Sequence, residues 1–165
     1  NYSNYTIDDS SGANTSTITR KCNRYRGIEN PFGHIWKHAD DVISVYSNSC
    51  RIWYKSVKPD QFATNKNNSY KPLCSVDSVV TGYKTEIKAT PNCDFFAMKC
   101  ANDSETTYWC DYNWDNTDTS EHCLLIGGRS GLGGRAGLFA LNSSNEVGYS
   151  YVDIGFRLTY LPWAE

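Results

Sequence analysis

Three histidines are the first residues to test for chemistry in this 165-residue chain. His34 and His38 lie close to Asp40 and Asp41, a set that can hold a metal ion or relay a proton. Their spacing follows no ligand pattern, and a solvated turn beside Trp36 is the simpler reading. His122 precedes Cys123 and would be placed to activate a thiolate. Cys123 also opens the apolar run Cys123-Leu124-Leu125-Ile126, which favours a buried core residue. The glycine-rich stretch Gly127-Gly128-Arg129-Ser130-Gly131-Leu132-Gly133-Gly134 lacks the Gly-Lys-Ser/Thr ending of a phosphate loop. Arg135 to Leu141 follow it and read as a strand, whereas a dinucleotide site needs a helix there. A flexible connection with close backbone approach at Gly127-Gly128 fits better.

Oxygen ligands for calcium are available around Trp114, at Asp111, Asp115, Asn116 and Asp118. The triplets Glu29-Asn30-Pro31 and Trp114-Asp115-Asn116 run in the opposite order to those of calcium-dependent lectins. No metal and no cofactor is therefore expected. The seven cysteines, Cys22, Cys50, Cys74, Cys93, Cys100, Cys110 and Cys123, are an odd number and include no Cys-x-x-Cys. They fit a partly disulfide-bonded secreted domain or a cytoplasmically made one in which Cys is a small hydrophobe, the latter slightly preferred. Asn-x-Ser/Thr triplets begin at Asn4, Asn14, Asn67, Asn102 and Asn142, as chance allows in a chain so rich in Asn, Ser and Thr.

With a net charge of -2 and no basic patch, nucleic acid is not an expected partner. No apolar run reaches the length of a membrane span, so no membrane insertion is expected. The first residues, Asn1-Tyr2-Ser3-Asn4, carry neither an initiator Met nor a leader, which reads as a processed chain or a piece of a longer one. Aromatic residues make up 14% of the chain against a single Met, so the core must be built on Tyr, Trp and Phe, and β structure is favoured.

The elements that must position these groups are short. Residues 1–15 are small, polar and without period, a linker or lead-in arm ahead of one domain over 16–165. Ile18, Cys22 and Tyr25 fall at helical spacing before Gly27 and suggest a short helix. Val42–Tyr46 and Arg51–Val57 read as two strands joined through Ser47-Asn48-Ser49. Residues 58–72 read as a surface loop. Further strands are expected over 79–87 with a break at Gly82, 94–99, 106–112, 123–126, 136–141 and 154–161. The long polar loops are 100–105, 113–122 and 142–153.

The last third carries a resemblance. Gly127-Gly128, then Ala136-Gly137-Leu138-Phe139-Ala140-Leu141-Asn142, then Ile154-Gly155-Phe156-Arg157-Leu158 resembles the variable region of proteins diversified by diversity-generating retroelements. The segment from Arg24 to Trp36 and the stretch Thr106 to Tyr112 are similar to structural proteins of gut phages of Bacteroides-type hosts. Together these motifs span most of residues 20–160. The resemblance implies a C-type-lectin-like fold of the α+β class, with short mixed or antiparallel strands, long irregular loops and one or two helices. It implies a ligand surface at the positions such proteins vary: Arg129, Gly131, Gly133, Arg135, Ser144, Asn145, Tyr149, Tyr151, Val152 and Asp153. Tyr112 and Trp114 are added as aromatic contacts. Tyr supplies rigid amphipathic area, and Ser and Gly supply adaptability. Alternation about Ser150 places Tyr149 and Tyr151 on one face. Arg157 is expected to be structural. Ser130 stands where many diversified members keep a Trp, as in an undiversified relative with a fixed role.

What the resemblance implies for function is a non-catalytic recognition domain of a virion protein (fibre, tail or head decoration), made in the bacterial cytoplasm. It would bind a bacterial surface glycan or protein and assemble as a homotrimer or with other virion subunits. Two alternatives stand beside it. One is a structural decoration module that binds no receptor; the other is an enzyme like the formylglycine-generating enzymes, which share the lectin-like fold but rely on a cysteine pair this spacing does not offer.

Overall fold

The computed structural model describes residues 31–57, 65–76, 81–88, 96–101 and 111–155, Asp40 by its backbone alone. It also describes the backbone of four earlier strands: β1 (Tyr2–Asp8), β2 (Thr15–Lys21), β3 (Arg24–Tyr25) and β4 (Ile28–Glu29). β1 pairs antiparallel with β2 and β3 with β4. Where a helix was expected from Ile18, Cys22 and Tyr25, the described residues form β2 and β3, and Cys22 lies outside them. Thr15, Thr17, Ile18 and Thr19 are β-branched, and their preference for extended backbone outweighs three apolar residues at helical spacing. Over residues 2–8, the polar lead-in likewise forms a strand.

Nine further strands form one sheet: β5 (Trp36–Ser47), β6 (Cys50–Ser56), β7 (Tyr70–Val76), β8 (Gly82–Ile87), β9 (Ala97–Ala101), β10 (Tyr112–Trp114), β11 (Glu121–Ile126), β12 (Leu141–Asn142) and β13 (Ile154–Gly155). Their order is β7-β6-β5-β11-β12-β10-β8-β9, with β13 alongside β5. Only β10–β12 and β13–β5 are parallel. Among the described residues the sole helical segment is the 3₁₀ turn Ser130–Arg135. The fold is β-rich, and the α+β expectation is corrected accordingly.

The β5–β6 hairpin forms where expected. Asn48 and Ser49 both take positive φ, 51° and 62°, as the tight two-residue turn between right-twisted strands requires. β5 is long because it serves two neighbours. Val42–Ser47 pairs with β6, Trp36 and Lys37 pair with β13, and β11 runs beside both halves. The β5–β11 register slips between Cys123 and Leu125, close to Asp41 at φ 72°, and this bulge bends β5 between its two tasks.

The core lies on both faces of β11. Leu124 packs with Trp53, Val76, Phe96 and Leu141 on one side. Cys123 and Leu125 pack with Trp36 on the other, closed by Trp114, Leu132 and Ile154. Burial on both faces explains why 123–126 is a continuous apolar run and not an alternating one. Aromatic contacts dominate: Trp53 stacks on Phe96 at 4.4 Å and Trp36 meets Trp114 edge-on at 5.3 Å. The expected strand over Ala136–Leu141 is reduced to Leu141–Asn142. Residues 137–140 instead make a turn closed by Ala140 N–H to the Gly137 carbonyl at 3.1 Å. Of the strands expected over 79–87, 94–99 and 106–112, residues 79–80, 94–95 and 106–110 lie outside the described residues; β8 and β9 cover 82–87 and 97–101, and β10 starts at Tyr112 and runs into the stretch 113–122 expected as a loop.

Candidate functional site

Two loops that the sequence singles out are brought together. The 3₁₀ turn begins after Arg129 and is broken at Gly133, whose φ of 55° and ψ of -132° suit glycine alone. It is anchored by Leu132, which packs into the Trp36/Leu125 cluster beside Ile154. The second loop, 149–153, enters that cluster through the same Ile154. Its end is fixed by Trp36 N–H donating to the Asp153 carbonyl at 2.8 Å and Ile154 N–H to the Tyr151 carbonyl at 3.0 Å. Arg129 Nε reaches Asp153 Oδ2 at 3.1 Å and ties one loop to the other. Ser130 N–H completes the junction by donating to the His34 carbonyl at 3.1 Å.

The surface this makes is apolar and aromatic. Tyr149 and Tyr151 lie nearly parallel, 15° apart, with ring centroids separated by 6.3 Å, as alternation about Ser150 predicts. Val152 is 91% exposed. Among the described residues, every exposed large hydrophobic side chain except Val57 falls between 138 and 152. Leu138 and Phe139 belong to that set, yet the strand reading of their motif missed them. Gly137 inside the motif was the available signal of a turn. Gly131 and Gly133 are exposed, and Arg129 lies within 3.3 Å of where a Gly131 Cβ would stand.

Other predicted contacts lie elsewhere. Tyr112 is buried and Trp114 half-buried. They form a row, Tyr83–Tyr112–Trp114–Trp36, with centroids 5.0, 4.4 and 5.3 Å apart, beneath the loops. Arg135 lies over the Tyr112 ring at 4.9 Å, so Tyr112 supports Arg135. Ser144 and Asn145 are tied into the fold. Ser144 N–H and Oγ donate to Asn142 Oδ1 at 2.8 and 2.7 Å, and the Asn145 carbonyl accepts from Cys123 N–H at 3.0 Å. Arg157 lies outside the described residues.

The remaining chemical candidates have structural partners. Asp115 accepts from Arg51 Nε at 3.0 Å and forms an ion pair with Nη2 at 2.7 Å, and Asn116 accepts from the same guanidinium through its carbonyl at 2.6 Å. Asn116 Nδ2 then donates to the Ser144 carbonyl at 3.0 Å, linking this cluster to the loop after β12. Burial raises the Asp115 carboxyl, with Arg51 pulling the other way. Asp118 is exposed and caps Ser120 N–H at 2.7 Å. Asp111 accepts from Phe139 N–H at 3.3 Å. The carboxylates around Trp114 are thus committed to protein groups. Among the described residues no three His, Cys, Asp or Glu side chains converge on one ion position.

His122 and Cys123 are adjacent on β11 and point to opposite faces, so the imidazole cannot serve the thiol. His122 Nδ1 lies 2.6 Å from the Ser143 carbonyl and therefore carries the proton. Burial pushes the Cys123 thiol up to about 11, the opposite of activation. Cys50, Cys100 and Cys123 are free thiols. Cys22, Cys93 and Cys110 lie outside the described residues. At Gly127 and Gly128, with φ of 91° and 75°, the chain crosses residues 31–33 and 136 closely. A Cβ on Gly128 would lie 2.7 Å from that of Ala136, so these glycines serve packing.

No family model matches the chain, and neither a curated protein nor a solved structure matches it.

Proposed function

We propose that this chain is a non-catalytic recognition domain of a phage virion protein, binding a host-surface glycan or protein through the face built from residues 129–135 and 149–153. The observation that carries the reading is the exposed Tyr149/Tyr151 pair with Val152 at its edge, on a loop held at its end by backbone pairing and the Arg129–Asp153 ion pair. Large apolar and aromatic side chains left in water on a pinned loop have a contact role as their simplest explanation. Ordering them beforehand reduces the entropy lost on binding. The sequence resemblance supplies the virion context and the C-type-lectin-like scaffold as part of this proposal. The β-rich fold with long loops gathered at the C-terminal part is compatible with it. Several copies on one virion would raise a weak single-site affinity by orders of magnitude.

Binding of the purified domain to intact cells from a panel of gut bacteria tests the reading. A variant carrying Tyr149→Ala, Tyr151→Ala and Arg135→Ala is compared at equal foldedness. Strain-selective binding that the variant loses supports it, and binding unchanged in the variant refutes it. The half-exposed Leu138 and Phe139 favour a second reading, a decoration module in which a neighbouring virion subunit covers these two side chains.

A further inference from the structure

The sheet curls so that strands far apart in its order face one another. β6 and β7 lie at one end of that order, and β10, β8 and β9 at the other. Arg51 and Trp53 alternate onto one face of β6, and the register sets Val76 of β7 opposite Arg51. From the other wing, Phe96 leads into β9 and stacks on Trp53 with ring centroids 4.4 Å apart. Asp115 follows β10 and meets Arg51 Nη2 at 2.7 Å. Between the two wings lies a cavity of about 10 Å³. Trp53, Val76 and Phe96 give it an apolar wall, and Arg51, Asn113 and Asp115 a polar one.

Arg51 is 1% exposed. Its Nε and Nη2 are taken up by Asp115 and Asn116. Nη1 is buried as well, and no protein group accepts from it. A buried guanidinium nitrogen with its hydrogens unpaired is costly unless something small reaches it. Size and charge decide what that is. One water needs a space of about 10–15 Å³, and a sugar, an acetate or a phosphate needs several times more. Arg51 and Asp115 offset each other's charge, so the cavity draws in neither a cation nor an anion. A water also needs two or more polar partners, which the polar wall supplies.

We propose that this cavity is a binding site for a single internal water that joins the two wings of the sheet. The water accepts from Arg51 Nη1 on β6 and donates to the side-chain oxygens of Asn113 and Asp115 on the opposite wing. The Trp53–Phe96 stack closes the apolar side. β6 and β10 are not neighbours in the sheet, so the water adds a polar bridge where no strand ladder runs. It completes the hydrogen bonding of the buried arginine and holds the curl of the sheet, whatever the domain recognises.

A high-resolution crystal structure of the wild-type chain and a water–protein ROE spectrum in solution test the site together. The expected result is one density peak at about 2.7–3.2 Å from Arg51 Nη1, and a direct ROE between water and the Arg51 Hη1 protons. In the double variant Arg51→Met/Asp115→Leu, which removes both charged partners, the density peak is expected to be lost. The wild-type result decides the question even if that variant does not fold. Absence of the peak or of the ROE in wild type, or a protein oxygen seated on Nη1, overturns the proposal. So does an anomalous signal that marks the peak as a heavier ion, or a peak that persists in the double variant.

Discussion

Replacing Arg51 by Met removes a guanidinium that is itself 1% exposed and leaves the Asp115 carboxylate, 5% exposed, without its cation. Three hydrogen bonds go with it, two to Asp115 and Asn116 side chains and one to the Asn116 carbonyl. Breaking one side of such a pair costs about 3–5 kcal/mol, because an uncompensated charge stays buried. A domain of this size has a stability of roughly 5–15 kcal/mol, so Arg51→Met leaves a weakly folded protein. Asp115→Leu alone strands the guanidinium and costs a similar amount. The double variant Arg51→Met/Asp115→Leu removes both desolvation penalties and is expected to lie within about 2 kcal/mol of wild type, a large non-additivity. Urea unfolding at neutral pH, followed by tryptophan fluorescence, measures all four corners of the cycle. Additive single costs, or an Arg51→Met cost below about 1 kcal/mol, would refute the account of this pair as buried and mutually compensating.

Gly137→Ala drives a methyl group into Asp111 Oδ1 at 1.8 Å. It is expected to lower stability by about 3 kcal/mol or more, at the upper end of overpacking costs, read as a drop in Tm. Asp153→Asn removes an ion pair whose Arg129 side is 46% exposed. It should change stability by less than about 1 kcal/mol while weakening receptor binding through a looser 149–153 loop, a split that paired melting and cell-binding assays would resolve. The Cys123 thiol, raised from 9.0 to about 11 by burial, stays protonated in the folded state at pH values where it ionises in the unfolded chain. Its contribution is full below pH 9 and lost as pH rises towards 11. Wild type should therefore lose stability relative to Cys123→Ala over that window, on the order of 1 kcal/mol per pH unit, in denaturant titrations at stepped pH.

Local rules recovered the elements whose cause is local. The β5–β6 hairpin was legible because Asn48-Ser49 is a turn pair between alternating strands, and β11 because a run buried on both faces is apolar throughout. Arg51 and Lys84 were not legible as interior residues. Alternation assigns cations to the solvent side, and the partner that makes Arg51 tolerable inside, Asp115, is 64 residues away. The same distance effect hid the partners of Asp111 and Asp115, which are Phe139 and Arg51. The helix expected at 18–25 failed because apolar spacing was weighed above β-branching. In the candidate site, Tyr149, Tyr151 and Val152 were named from the resemblance, and alternation about Ser150 gave the shared face of the two tyrosines. Leu138 and Phe139 were hidden because the turn that exposes them depends on Gly137 lying against Asp111.

The proposed function requires that the 149–153 loop itself touch the bound cell-surface component. A photoreactive aromatic residue placed at position 151, beside a control at the exposed Val57 outside the surface, tests it on intact cells that bind the domain. A covalent adduct with a cell-surface component is expected from position 151 and none from position 57. Adducts from position 57 alone, or none from position 151 on cells that hold the domain, would contradict it.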